Sequence, residues 1–335
     1  MARGLFSRKA AATDSRSVLA RGGFQPAEKT KLPRDPLAQA FRLGQFGLIL
    51  QSRAQWADHP DFKKTLDAAA RAIDEVFALV PEGFVSIALS IFDQPGSPEA
   101  DCQTEPFLLA RHAVTNSQFQ GFVDAGGYEN LELWPEEIWP YLIGFKDQTD
   151  QPAPRFWREG RHHRNLADHP VVGISFYEAT AYARWAGFRL PTEAQWQMAA
   201  SWRTRSSAHV HHRYPWGDAL DLSFCNIWAS GRSGTLPVNA CPGGAAPNGV
   251  VQLIGNTWEW TSSNFESVDR EGRAVVGQTL LKSIRGGAYD TYFPWQATST
   301  FRTGLAGLTR SDNVGFRCAL DLPAGSATGH ELPDE

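Results

Sequence analysis

Apolar positions recur at helical spacing in two early runs. Leu37, Phe41, Phe46, Leu48 and Ile49 form one stripe after Asp35, and Phe62, Leu66, Ala69, Ile73, Val76 and Phe77 form a second after Asp58-His59-Pro60. Together they predict a helical hairpin over residues 35–78, whose simplest role is to pack on the rest of the chain and whose alternative role is to dock a partner. Val80-Pro81-Glu82-Gly83 breaks the second helix, and Phe84-Val85-Ser86-Ile87-Ala88-Leu89 follows as a predicted first strand, which sets a domain boundary near residue 79.

Three further helices share one start signal, a Ser or Thr followed three residues later by Gln or Glu, so that side chain and backbone cap each other. They open at Thr115-Asn116-Ser117-Gln118, Ser175-Phe176-Tyr177-Glu178 and Thr192-Glu193-Ala194-Gln195. Gly126-Gly127 ends the first and Gly187 the second, as left-handed C-terminal positions require. Tyr177, Ala181 and Trp185 on the second, and Trp196 with Ala199 and Ala200 on the third, mark core faces. Between the first two helices, residues 133–170 read as a Trp- and Pro-rich insertion carrying Trp134, Trp139, Trp157 and a basic cluster from Arg158 to Arg164. Beyond Tyr214-Pro215-Trp216-Gly217 the periodicity disappears into turns and short strands. Residues 1–34 and 323–335 are polar, aperiodic and expected to be disordered.

Composition supports a large loop-rich domain. Twelve Trp and 30 Gly against two Met in 335 residues suit irregular backbone pinned by large rings, not a helical bundle. A net charge of −4 and no Lys/Arg run with interleaved aromatics in the body of the chain argue against nucleic acid as a partner. No apolar run is long enough to cross a bilayer, and the basic start lacks the core of a signal peptide, so a cytoplasmic protein is expected. Cys102, Cys225, Cys241 and Cys318 are scattered without zinc-type spacing. His162, His163 and His169, like His209, His211 and His212, lack the spacing of a helical metal site and read as solvated or hydrogen-bonded residues.

The chemistry concentrates around Ile254-Gly255-Asn256-Thr257-Trp258-Glu259-Trp260. Gln252 and Glu259 offer side-chain oxygens, and bent backbone at Gly255 and Thr257 can turn carbonyls inward, an all-oxygen set suited to calcium. The alternative is that Glu259 caps a turn while Trp258 and Trp260 are core.

In this order the landmarks resemble the formylglycine-generating enzyme family, also called sulfatase-modifying factor domains. The match is carried by Val114-Thr115-Asn116-Ser117-Gln118-Phe119, His169-Pro170-Val171-Val172-Gly173-Ile174-Ser175, Arg189-Leu190-Pro191-Thr192-Glu193-Ala194-Gln195-Trp196, Tyr214-Pro215-Trp216-Gly217 and Asn248-Gly249. Gly255 to Trp260, Arg285-Gly286-Gly287 and Gly315-Phe316-Arg317-Cys318-Ala319 complete it. The resemblance implies an α+β, C-type-lectin-like fold over residues 79–322. It also implies calcium at Gln252, Gly255, Thr257 and Glu259, and a second calcium site using Asn226 and Ile227, whose completing aspartate loop is shortened here.

In the family, copper is held by two cysteines shortly after the Arg-Gly-Gly strand; here residues 288–298 contain no cysteine, so copper and formylglycine generation are not expected. Cys318 reads as a core residue. The ergothioneine-pathway relatives place iron on three histidines of an N-terminal helical domain, whereas the hairpin offers only His59. Besides an accessory or structural subunit that docks through the helical hairpin and the 133–170 insertion, two functions remain. One is a small-molecule or protein ligand bound through the 288–313 surface by Trp258, Tyr289, Asp290, Tyr292, Phe293, Trp295, Arg302, Arg310 and Asn313; a diversified variable region is one form of this. The other is a cysteine-independent, metal-dependent oxidoreductase akin to pyoverdine- and ergothioneine-pathway members, with iron as its metal and Asp290, Tyr292 and Gln296 as catalytic candidates.

Overall fold

A computed structural model describes residues 24–29, 31–89, 99–201, 212–269, 273, 275 and 280–322. His209, His211, residues 1–23 and residues 323–335 lie outside these. Residues 25–27, expected to be part of a free tail, instead lie along the basic cluster: Arg164 N donates to Gln25 O at 2.9 Å, and Phe24 meets the His163 ring at 5.5 Å.

The first helical region holds four helices: α1 (Pro36–Arg42), α2 (Phe46–Gln51), α3 (Arg53–Trp56) and α4 (Phe62–Val76). Asp35 caps α1 through its side chain. Leu37, Ala40, Ile49 and Ala69 make a small core of their own. The region is also fastened to the rest of the chain at the end of a later helix, because Gln45 Nε2 donates to Trp185 O at 2.8 Å and Gln51 Nε2 to Gly187 O at 3.0 Å. These amides satisfy carbonyls that a helix end leaves unpaired.

The hairpin ends earlier than the apolar stripe predicts. Phe77–Val80 is a strand, β1, with Phe77, Ala78 and Val80 buried and Leu79 exposed. It opens a three-stranded antiparallel sheet with β4 (Phe107–Ala110) and β9 (Ala319–Asp321), in the order β1-β4-β9. Helical and strand periodicity overlap at a single Phe, so only pairing with β4 decides the boundary. Strands β2 (Gly83–Ala88) and β3 (Glu99–Thr104) form a separate antiparallel pair.

The three capped helices form as predicted: α5 (Asn116–Asp124), then, after α6 (Trp139–Leu142), α7 (Phe176–Ala186) and α8 (Glu193–Ser201). Each capping box is closed, with Thr115, Ser175 and Thr192 bonded to Gln118, Glu178 and Gln195. The 133–170 segment, predicted as an insertion, contributes Trp134, Ile138, Phe145 and Trp157 to the main core. Rings of Phe119, Phe122, Tyr182, Trp185 and Phe316 complete that core at centroid separations of 5.2–6.4 Å. Each fully buried ring removes on the order of 200 Å² from water, about 5 kcal/mol of driving force.

The sheet beneath the candidate site runs β7-β6-β5-β8: β5 (Trp258–Asn264), β6 (Leu281–Arg285), β7 (Arg302–Ala306) and β8 (Val314–Gly315). β6 is antiparallel to β5 and β7, whereas β8 runs parallel to β5, with Trp258 opposite Val314. The loop between β6 and β7 and the turn before β8 therefore emerge at the Trp258 end of β5.

Candidate functional site

Gln252, Gly255 and Asn256 all have positive φ, so the chain before β5 is coiled tightly on itself. Gly255 is required twice over: its φ is 79°, and a Cβ there would lie 2.6 Å from Asn226 O. Asn226 and Asn256 bond through their amides at 3.0 Å, Asn256 Nδ2 donates to Gln252 Oε1 at 2.7 Å, and Gln252 Nε2 donates to Pro237 O and Ala240 O. The Gly255 carbonyl accepts from Thr257 N at 2.9 Å.

Glu259 points into the interior and is 1 % exposed. Arg317 clamps both carboxylate oxygens at 2.7 Å, and Trp196 Nε1 donates to Oε2 at 2.7 Å. The expected calcium set of Gln252, Gly255, Thr257 and Glu259 thus does not fit the ion in this arrangement. A guanidinium already neutralises the carboxylate, and the Gln252 oxygen accepts a protein hydrogen. Calcium collects about six to eight oxygens, carboxylates among them. At the second expected site, Ile227 O accepts from Ser230 N, while Asn226 Oδ1 is buried with no partner, a single orphaned oxygen. Among the described residues no group of three His, Cys, Asp or Glu side chains gathers as a metal site.

Arg302 and Arg310, expected on the ligand surface, are 5 % and 8 % exposed. Arg302 forks onto Glu193 at 3.1 Å through two nitrogens and donates to Ala88 O and Glu266 O. Arg310 meets Glu178 at 2.9 Å and donates to Gly173, Lys146 and Ala153 carbonyls. Both are corrected from recognition to bracing: every arm of each guanidinium is used inside the protein. Opposite Arg302 in the sheet, Arg285 is wholly buried over the Trp196 ring, and burial draws its guanidinium down to about 10.

What remains at the surface is aromatic. Gly286 and Gly287, both with positive φ, turn the chain out of β6, and Thr291 Oγ1 accepts from Ala288 N to close the turn. Tyr292, Phe293 and Trp295 then stand 63 %, 50 % and 55 % exposed, and Trp228 from a distant segment is 58 % exposed. Ring contacts run from Trp228 to Tyr292, Phe293, Trp295, Phe301 and Trp258, each 5.1–6.1 Å from the next. The backbone knits the segments together, Trp228 N to Thr291 O, Tyr289 N to Asn256 O and Trp258 N to Asn313 O.

Beside the rings, Asn313 Nδ2 donates to both oxygens of Asp290 at 3.0–3.1 Å. Tyr289 bonds to Asp312; burial first, then the Asp312 and Asp290 carboxylates, hold its hydroxyl above the ordinary phenol range. Gln296 lies in the turn between Phe293 and Phe301, half-buried. The sequence reading missed Trp228, Phe301 and Asp312. Trp228 follows Asn226-Ile227 as any core indole would, and nothing local marks it as exposed.

No cysteine joins this surface. Cys318 is buried in the core, and burial raises its thiol. His162 and His169 are held by His163 O and Thr235 Oγ1, and His59 by Asp35 at 2.9 Å. No helix among the described residues is long and apolar enough to cross a membrane.

Comparison with known proteins agrees with this geometry. The model for the sulfatase-modifying factor enzyme 1-like domain matches residues 63–322. Formylglycine-generating enzyme of Streptomyces coelicolor is 33 % identical over 275 residues, covering 69 % of this chain and 84 % of that protein. Inactive C-alpha-formylglycine-generating enzyme 2 of Bos taurus is 30 % identical over 254 residues, covering 66 % and 79 %. Hercynine oxygenase of Mycobacterium tuberculosis is 38 % identical over 169 residues, covering 47 % of this chain but 37 % of its own length. The chain thus matches about a third to a half of the length of the hercynine oxygenases. Among solved structures, PvdO from Pseudomonas aeruginosa superposes with a TM-score of 0.50 at 21 % identity, covering 73 % of this chain and 94 % of that one. The fold is the α+β, C-type-lectin-like fold of the formylglycine-generating enzyme type.

Proposed function

This chain belongs to the sulfatase-modifying factor enzyme 1-like family, and we propose that within it the chain is a non-formylglycine-generating member that binds a ligand through the surface around Tyr292. The observation that carries this is the run of exposed rings from Trp228 to Trp295, of which Tyr292, Phe293 and Trp295 follow a turn closed by the bond from Ala288 N to Thr291 Oγ1. Exposed aromatics lose water contact only if something covers them, and large rigid rings recognise ligands at low entropic cost. The window 288–298 offers no thiol for copper(I).

The test is a binding screen read by tryptophan fluorescence, run in parallel on the protein and on a Tyr292→Ala/Trp295→Ala variant. Ligands that bind the first and not the second support the surface. If all hits bind both equally, the surface is not the site.

The similarity to hercynine oxygenases favours a second reading, a metal-dependent oxidoreductase with iron at a site near Asp290, Tyr292 and Gln296. It is supported by sequence likeness over about half of this chain. Elemental analysis of protein purified without chelators separates the two: stoichiometric iron abolished by Asp290→Asn favours the oxidoreductase, and its absence favours the binding module.

A further inference from the structure

We propose that the seam between the first helical region and the rest of the chain is a binding site for a small, uncharged, single-ring molecule bearing a hydroxyl group, a phenol, recognised by His112 and Tyr182. The site shares no residue with the surface around Tyr292 and stands independently of it.

Packing makes the space. Leu43 and Phe46, from the α1–α2 connection, line a cleft of about 160 Å³ together with Phe77, Val114, Phe188 and Val238. Its walls are fixed from both sides. Gln45 and Gln51 tie the helices to the end of α7, while Phe77 meets the Phe188 ring at 4.9 Å and Arg111 N donates to Val76 O at 2.9 Å. A rigid apolar space of about 150 Å³ is enough to hold benzene, so the cleft is matched to one ring.

Two polar side chains give the cleft its chemistry. Tyr182 lines it at 6 % exposure, and among the described residues its hydroxyl has no hydrogen-bond partner. Tyr128, equally buried, gives its hydroxyl to Glu178 at 2.7 Å. Leaving a buried hydroxyl unpaired is costly, so Tyr182 marks a place where a bound molecule completes the bonding. His112 supplies an acceptor. Its Nδ1 lies 2.9 Å from Val238 O, and a carbonyl only accepts, so Nδ1 carries the hydrogen. Burial, the foremost cause, holds the imidazole below its ordinary range and so neutral, which leaves Nε2 a bare lone pair without a partner among the described residues. A phenol hydroxyl satisfies both groups at once, donating to His112 Nε2 and accepting from Tyr182.

The lining disfavours an ion. Among the described residues no Asp, Glu, Lys or Arg side chain borders the cleft. Arg317 and Arg111, whose charges reach His112, are engaged by Glu259 and by the Glu75 and Asn248 carbonyls. A charged ligand would lose its water there without gaining a counter-ion.

The test titrates phenol, anisole, toluene and benzoate into the full chain by ligand-observed NMR. Phenol should bind saturably and about threefold to tenfold more tightly than anisole, whose methyl group removes the donor. Tyr182→Phe and His112→Phe should each weaken phenol by a similar factor and leave toluene unchanged, a split that a merely structural defect would not produce. Ala113→Leu, which fills the cleft, should abolish binding of both, whereas Tyr292→Ala/Trp295→Ala should alter neither. Circular dichroism melts confirm that each variant is folded, and if Ala113→Leu is not, the phenol–toluene split in Tyr182→Phe decides. Equal binding of phenol and anisole, indifferent to Tyr182→Phe, would overturn recognition of the hydroxyl. Benzoate binding as tight as phenol would overturn the preference for an uncharged ligand. Binding kept in Ala113→Leu but lost in Tyr292→Ala/Trp295→Ala would move the ligand to the ring surface and sink the site at the seam. No saturable binding of phenol would sink it too, while leaving the ring surface untouched.

Discussion

The interior beneath β5 and the loop that emerges above it are built from similar residues, aromatics with charged groups between them, yet they are used in opposite ways. In the interior, Glu259, Glu178 and Glu193 each meet an arginine, and Trp196 gives its one donor to Glu259. At the loop, Asp290 is met by the Asn313 amide and Asp312 by the Tyr289 hydroxyl, and the rings beside them are half in water. A buried charge that lacks a partner costs several kcal/mol, so interior ions are matched within the chain. An exposed carboxylate is solvated at no such cost and stays available. The difference teaches that in this scaffold depth, not residue type, decides which charged and aromatic groups are tied up within the chain and which face water.

The sharpest way to break that contrast is to cut the deepest pair. Glu259→Gln leaves the Arg317 guanidinium buried against a neutral amide and should cost about 3–5 kcal/mol in urea unfolding. A cost below about 1 kcal/mol would mean that the pair is not structural. Arg310→Ala strands the Glu178 carboxylate and the Gly173, Lys146 and Ala153 carbonyls, and should cost about 2–4 kcal/mol without weakening ligand binding by the folded fraction. Selective loss of binding would return Arg310 to the recognition surface.

Tyr292→Ser and Trp295→Ser should do the reverse. Stability should stay within about 1 kcal/mol, because both rings are already half exposed, while ligand binding is lost. A large destabilisation would show that the ring run is a structural cluster.

A smaller effect concerns pH. Burial lowers the His112, His162 and His169 imidazoles below their ordinary range. The unfolded chain then binds protons that the folded chain refuses, so their contribution to stability is complete above the unfolded imidazole value and declines as pH falls through the folded one. Melting temperature should drop between about pH 7 and pH 5, and His162→Gln should reduce that slope. An unchanged slope would mean that His162 is readily protonated in place. Smallest of all should be the response to calcium. With Arg317 on Glu259, adding calcium or a chelator should move the melting temperature by less than about 2 °C. A larger shift, abolished by Glu259→Gln, would show that the ion displaces the arginine.

Much of this was legible in the chain. The three capping boxes, the glycine stops at Gly126 and Gly187, and the ordered landmarks from Val114 to Ala319 determine the helices and the family, because caps and left-handed turns depend on a few neighbouring residues. The missing thiols at residues 288–298 are equally a property of the sequence. Contacts between distant segments decided the rest. Phe77 is helical by period and becomes a strand because β4 lies beside it. Trp134 and Trp157 read as an excursion and are core because α5 and α7 leave an aromatic space that they fill. Arg302 and Arg317 look alike as lone arginines near the C-terminus until Glu193 and Glu259, more than fifty residues away, come to meet them. Burial and charge pairing are properties of three-dimensional neighbourhoods, so depth, which here separates the charged and aromatic residues paired in the interior from those left facing water, was settled only by the tertiary structure.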